Sequence, residues 1–248
     1  MRKLLFWPYQ VYVWVVLVPL AFIISLVFGW TAVLMAILVS PRFSSRYVAM
    51  NWARLLSWLT PMWVSVEGQR HVDRSRSYVV VANHVSQFDI LALYGFLDLD
   101  LKWVIKKELR KFPGIGIGCE KVGHIFVDRQ NPEAARRAVN EAMDRLGDGV
   151  GILFFPEGTR SIDGRLLPFK KGAFRIAVDA GLPILPVTLV GTREICPAKT
   201  MRIFPGKARV IVHPPIETAG RSVQEMQALM DSACKAIASA LPPEVRGA

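Results

Sequence analysis

Two short stretches carry residue types suited to proton transfer and anion binding. Asn83-His84-Val85-Ser86-Gln87-Phe88-Asp89 sets an imidazole and a carboxylate five positions apart. Pro156-Glu157-Gly158-Thr159-Arg160 gathers an acid, a glycine and a guanidinium in one turn. Residues five apart on one helix point away from each other, because each step rotates the chain by about 100°. His84 and Asp89 can therefore meet only where the chain folds back, as it does when a strand gives way to a helix. Asp89 would then accept a hydrogen bond from His84 Nδ1, fix the tautomer and leave Nε2 as a base. The plainer alternative is that Asp89 caps the helix beginning at Ile90 and His84 is a loop residue.

A His–Asp pair without a partner serine implies that the substrate brings the nucleophile. A hydroxyl deprotonated by His84 would attack an activated acyl group directly, with no covalent enzyme intermediate. Ser86 is a candidate nucleophile for a hydrolase, but no GxSxG elbow occurs in the chain. Backbone N–H groups near Ser86 or Gly158 are candidates for holding the oxyanion.

In the second stretch, backbone N–H groups of the turn can hold phosphate oxygens and Arg160 can grip them bidentately. The alternative is a surface turn in which Arg160 pairs with Glu157. Lys106 and Arg129 each follow an apolar run, and Lys170, Lys171 and Gly172 lie just beyond the turn. Ligands of open α/β sheets gather at the carboxyl ends of strands. His84, Lys106, Arg129 and Glu157 to Arg160 share that placement.

The elements that must position these residues follow from periodicity. Short apolar, β-branched runs predict strands at residues 63–66, 78–82, 103–105, 124–127, 151–155, 184–190 and 208–212. Helical spacing predicts helices over 132–146, 169–180 and 223–241, with Gly181 and Pro183 stopping the second. Near-continuous apolar strands alternating with helices give an α/β fold, a mostly parallel sheet flanked by helices.

Before this fold, Leu4 to Val39 is almost free of charge. One straight helix of that length would exceed 50 Å by roughly 1.5 Å per residue, against a hydrocarbon core of about 30 Å. Basic residues at both ends (Arg2 and Lys3, then Arg42 and Arg46) favour a membrane helical hairpin broken near Pro19, with a single tilted span as the alternative. A cleaved signal peptide is not expected, because the run is too long and lacks a small-x-small site. Residues 42–59 read either as a helix along the bilayer surface or as a core helix. Residues 1–60 are thus assigned to membrane-anchoring helices and 61–248 to the α/β domain.

The chain has 248 residues, a net charge of +11 and 52% hydrophobic residues. The charge suits nucleic acid, an anionic membrane or a phosphorylated substrate. No nucleic-acid motif is present, and the apolar N-terminus points to the other two. Cys119, Cys196 and Cys234 fit no metal or redox spacing and read as reduced core residues of a domain facing the cytoplasm.

Together the segments resemble the glycerolipid acyltransferase family. Asn83–Asp89 resembles its asparagine-histidine-x4-aspartate block, Phe126–Arg129 its second, Phe155–Ser161 its third and Leu182–Val190 its proline-bearing fourth. The order matches over residues 60 to 215. The resemblance implies transfer of a fatty acyl chain from a thioester to the free sn-2 hydroxyl of 1-acylglycerol 3-phosphate. Acylation of another lysophospholipid or lyso-ornithine lipid is the nearest alternative. A membrane-bound lipid or thioester hydrolase and a non-catalytic membrane-binding module are alternatives of other classes. It also implies His84 as base, Asp89 as its orienter, and Lys106, Arg129, Glu157, Gly158, Thr159 and Arg160 at the acceptor site. Acyl-CoA or acyl carrier protein is the implied donor, with no further cofactor and no metal. The implied location is the cytoplasmic face of a cytoplasmic membrane. His124 has no place in this scheme and reads as structural.

Overall fold

The computed structural model describes residues 6–112, 115–128, 132–146 and 148–246. Seven strands appear where the apolar runs predict them: β1 (Met62–Glu67), β2 (Tyr78–Ala82), β3 (Asp100–Lys106), β4 (Ile125–Val127), β5 (Val150–Phe154), β6 (Ile184–Val190) and β7 (Gly206–Val212). They form one sheet in the order β1-β7-β6-β2-β5-β3-β4. From β6 to β4 every pairing is parallel, and β1 runs parallel to β7. β6 and β7 meet antiparallel, which reverses β1 and β7 against the other five.

β2 lies near the centre, and all five of its residues are buried. Its alternation feeds two cores. Val80 and Ala82 face the helices that contain Ala53, Leu56, Leu91 and Leu93. Val79 and Val81 face Val139, Phe174, Ile176 and Leu229 on the other side. Each fully buried valine contributes about 1.5–3 kcal/mol of hydrophobic stabilisation, so an acid at Val80 would disrupt this half of the core.

The N-terminal apolar segment is one helix, Phe6–Leu38. The break expected near Pro19 is absent. A π-helical turn at Val13–Leu17 comes just before the proline, and Val18 N–H reaches back to Val13 O. Widening the turn accommodates a residue that lacks an N–H and would crowd the carbonyl four positions back. The chain reverses instead at Val39–Ser40. Ser40 caps the next helix by accepting the Phe43 N–H at 3.0 Å, and Pro41 occupies its first turn.

Residues 41–59 then run back along the first helix. Ser44 Oγ donates to Ala32 O at 2.7 Å and Trp52 Nε1 to Ser25 Oγ at 3.0 Å. A hairpin therefore exists, but its arms differ. The first arm is apolar and leaves Val11, Val15, Phe22, Ile23, Val27 and Ile37 exposed. The second is amphipathic. Met50, Ala53, Leu56 and Ser57 are buried, and Arg54 Nε donates to Gly95 O at 2.7 Å.

Candidate active site

The Asn83–Asp89 turn begins where β2 ends. Asn83 is buried and bonds β6 twice, donating from Nδ2 to Leu189 O at 3.0 Å and accepting the Leu189 N–H at 2.8 Å. This fixes where the chain leaves the sheet. The helix Phe88–Phe96 then turns back, with Asp89 in its first turn. His84 Nδ1 and Asp89 Oδ2 lie 2.8 Å apart. Asp89 is fully buried, and its Oδ2 also accepts the N–H groups of Val85 and Ser86, each at 2.8 Å. Of the two readings the sequence left open, the contact with the imidazole is the one observed: Asp89 sits inside the helix, whose N-cap Gln87 has no side-chain cap bond, and the backbone donors it accepts belong to the loop before the helix.

Glu157 links the two turns. It is buried, and Oε1 accepts the His84 N–H at 2.6 Å while Oε2 accepts the Leu167 N–H at 3.0 Å. The Ser161 N–H donates to His84 O at 2.8 Å. The imidazole stacks on Phe155, with 3.9 Å between ring centroids and 14° between planes. His84 is thus held through its N–H, its carbonyl, its Nδ1 and one ring face. Burial pushes the Glu157 carboxyl up to about 7, against the opposing pull of its two backbone donors. Phe155 is a site residue the sequence reading missed. Its position beside the second motif was a signal, but the stack depends on how β5 sits beside β2.

Ser86 is fully buried, donates to Cys196 O at 2.7 Å and accepts the Phe88 N–H at 3.1 Å. A hydroxyl so placed pins the loop and has no route to a substrate, which removes the basis for a serine hydrolase. The two oxyanion donors considered from sequence are also engaged. Ser86 N–H serves Asp89, and Gly158 N–H bonds Phe155 O at 3.0 Å. Gly158 has φ 73°, and a Cβ there would lie 2.7 Å from Lys170 Nζ. A side chain would be strained and would displace the lysine. Lys170 is thereby added to the residues around this turn.

Thr159 is exposed and Arg160 half-buried on the same turn, close enough to Cys196 for the guanidinium to lower that thiol against the upward push of burial. Lys106 ends β3 and is exposed. Trp103 lies opposite Leu153, so Lys106 reaches the level where β5 gives way to Pro156. Arg129 lies outside the described residues.

An apolar cavity of about 300 Å³ borders the first turn at Gln87 and Phe88 and runs between Ala21, Trp52, Leu91 and Trp103. A second, of about 330 Å³, borders the second turn on the other face of the sheet, among Val104, Val139, Phe154, Gly158 and Ile176. A third cavity, about 590 Å³, lies at the amino ends of β3 and β4 around Asp100 and Lys102, at the opposite end of the sheet from His84. His124 lines it but also stacks on Trp103 and accepts its N–H at 3.3 Å; burial brings its pKa down to about 3. That is a structural histidine.

Residues 63–190 match the family model described as Acyltransferase. The chain belongs to the acyltransferase family. The matched span runs from β1 to the end of β6 and contains both turns. A 1-acyl-sn-glycerol-3-phosphate acyltransferase of Chlamydomonas reinhardtii is 34% identical over 238 residues, covering 92% of this chain and 69% of its own. The mouse 1-acyl-sn-glycerol-3-phosphate acyltransferase alpha is 36% identical over 213 residues, covering 82% and 74%. The crystal structure of a 1-acyl-sn-glycerophosphate acyltransferase from Thermotoga maritima superposes with a TM-score of 0.76 at 30% identity, covering 94% of each chain. This acyltransferase therefore shares the architecture of that structure over 94% of its length.

Proposed function

We propose that this acyltransferase moves a fatty acyl chain from a thioester to the sn-2 hydroxyl of 1-acylglycerol 3-phosphate, giving phosphatidic acid. The observation that carries the proposal is the buried, multiply bonded Asp89 against His84, locked by Glu157 to the turn that bears Arg160. The relatives named for this acceptor supply the substrate.

In this reading His84 Nε2 takes the proton of the acceptor hydroxyl as its oxygen attacks the thioester carbonyl. Asp89 holds the neutral tautomer with the Nδ1 proton and then balances the imidazolium. The tetrahedral intermediate collapses, the C–S bond breaks, and the imidazolium returns its proton to the departing thiolate. Thr159 and Arg160 are the candidate oxyanion and phosphate donors, because neither backbone N–H has a partner among the described hydrogen bonds. Lys106, Arg129, Gly158 and Arg160 are assigned to the site that receives the acceptor's phosphate, with the cations on its oxygens. Glu157 belongs to the same turn, but its two oxygens are committed to backbone donors, so its role is to hold His84. The cavity beside Gln87 suits an acyl chain. The donor is acyl-CoA or acyl carrier protein.

The apolar helix associates the enzyme with a membrane, and we place the catalytic domain on the cytoplasmic side. The helix packs along the domain from Gln10, which donates to Ile203 O at 2.8 Å, to Ala32 at the Ser44 contact. A helix fastened along its side to a globular domain fits insertion into one leaflet better than a crossing of both.

The test is a panel of lysolipid acceptors offered with one acyl-CoA, read by product mass against a His84→Ala control. Product only from 1-acylglycerol 3-phosphate supports the proposal. Preference for another lysophospholipid reassigns the acceptor, and free fatty acid without acceptor defeats acyl transfer.

A further inference from the structure

Asp89 uses both carboxylate oxygens, and the two are treated differently. Three donors converge on Oδ2: His84 Nδ1, Val85 N–H and Ser86 N–H. Oδ1 receives a single side-chain donor, the Thr192 hydroxyl. Thr192 is fully buried and lies 103 positions along the chain from Asp89. It opens the short helix Thr192–Ile195, immediately after β6 and Gly191. Gly191 has φ 91°, and a Cβ there would fall 2.1 Å from Lys207 O, so only glycine lets the chain turn here beneath the Asp89 carboxylate. Cys196, at the end of the same short helix, accepts the Ser86 hydroxyl. The segment 192–196 is therefore tied to the catalytic turn at two points.

We propose that Thr192 is a positioning residue of the acyl transfer, acting through Asp89 on His84. A carboxylate bonded on one oxygen alone can rotate about Cβ–Cγ. Bonding Oδ1 from below fixes the carboxylate plane, and with it the direction from which Oδ2 meets His84 Nδ1. The same bond satisfies an otherwise unpaired, fully buried anionic oxygen. Thr192 does not touch the substrate. Its effect reaches the reaction as the alignment of Nε2, where small errors in placement cost rate. The inference rests on His84 being the base.

The decisive comparison is Thr192→Val against Thr192→Ser in the full-length enzyme in detergent or vesicles, with His84→Ala alongside. Valine keeps the shape and removes the hydroxyl; serine keeps the hydroxyl and removes the methyl. Thr192→Val is expected to lower kcat by about tenfold to a hundredfold, with KM for acceptor and donor essentially kept. Thr192→Ser is expected to recover most of that loss. A Thr192→Val enzyme with wild-type kcat would overturn the inference. So would a Thr192→Ser enzyme as impaired as Thr192→Val at unchanged melting temperature, since keeping the hydroxyl would then have kept nothing of the rate. A raised KM at constant kcat would also overturn it by making Thr192 a substrate contact. If Thr192→Val does not fold, Thr192→Ala against Thr192→Ser reads the same contrast. Near-normal turnover in His84→Ala would instead refute the base assignment beneath it.

Discussion

Glu157 and His84 are joined through the backbone: a carboxylate oxygen of the one accepts the N–H of the other at 2.6 Å. The two motifs of this acyltransferase are therefore parts of one clamp. The first carries His84, the proposed base, and the carboxylate bonded to it; the second holds the main chain of His84 and carries the Arg160 guanidinium. Buried hydrogen-bonded networks of this kind rigidify a site, and removing one member leaves the rest unsatisfied.

His84→Ala should lower turnover by about 10²–10⁴-fold while folding and membrane association stay intact. Initial rates with acyl-CoA and 1-acylglycerol 3-phosphate, beside a melting curve, check this. Activity close to wild type would mean that another group takes the proton.

Ser86→Ala should keep the chemistry and lose stability. The hydroxyl bridges Cys196 O and the Phe88 N–H inside the fold, so its loss should cost about 1–3 kcal/mol. Turnover per folded molecule should remain, and no acyl adduct should form at position 86 in the parent enzyme. Mass spectrometry after incubation with acyl-CoA detects such an adduct, which would revive the serine mechanism.

Glu157 gives stability a pH dependence of unusual sign. Its carboxyl rises from 4.5 to about 7 in the fold, so the folded state binds more protons than the unfolded state between those values. Its contribution is complete below the unfolded value and is lost as pH climbs through about 7. Glu157→Gln should flatten that slope. It should also lower stability at acid pH, because an amide cannot accept both backbone donors. Urea titrations of parent and variant at pH 5 and pH 8 measure both effects; an equal slope in the two proteins would count against the assignment.

Arg160→Ala should weaken phosphorylated acceptors far more than an acceptor without phosphate. A charge-assisted contact is worth about 1.5–3 kcal/mol, or roughly one to two decades in kcat/KM. A uniform loss across both acceptors would exclude the phosphate role.

Ile23→Asp combined with Val27→Asp should release the enzyme from vesicles without unfolding it. Both side chains are exposed on the outer face of the apolar helix, whereas Ala21, Ile24 and Phe28 pack inward. Deleting the helix is a poorer test, because it would uncover those inward contacts. Flotation of the double variant with anionic vesicles, at low and high salt, reads the outcome. Salt-resistant binding would show that the helix is not the anchor.

Much of the fold was legible because strands buried on both faces must be apolar throughout. All seven apolar runs became strands, and Gly181 ended its helix in the left-handed conformation that favours glycine. The antiparallel β6–β7 pairing was not legible, since nothing in an apolar run reports the direction of its neighbour. The hairpin turn was misplaced for a related reason. Proline and glycine mark where a helix can break, but a π-helical turn absorbed Pro19, and Ser40-Pro41 provided a capped restart.

The sequence by itself determined the chemistry on offer: an imidazole and a carboxylate in one turn, an acid, a glycine and an arginine in another, and an apolar segment ahead of both. Spacing within a few residues is enough for that, because local geometry limits where such neighbours can point. Tertiary structure decided how they are used. It committed Glu157 to the backbone of His84, stacked Phe155 on the imidazole, buried Ser86 beyond reach and brought Thr192 to Asp89. Each of these contacts joins residues on different strands or loops of the sheet. A hydrogen bond across 103 positions leaves no periodic trace in the chain; it exists only because β6 and β2 lie side by side.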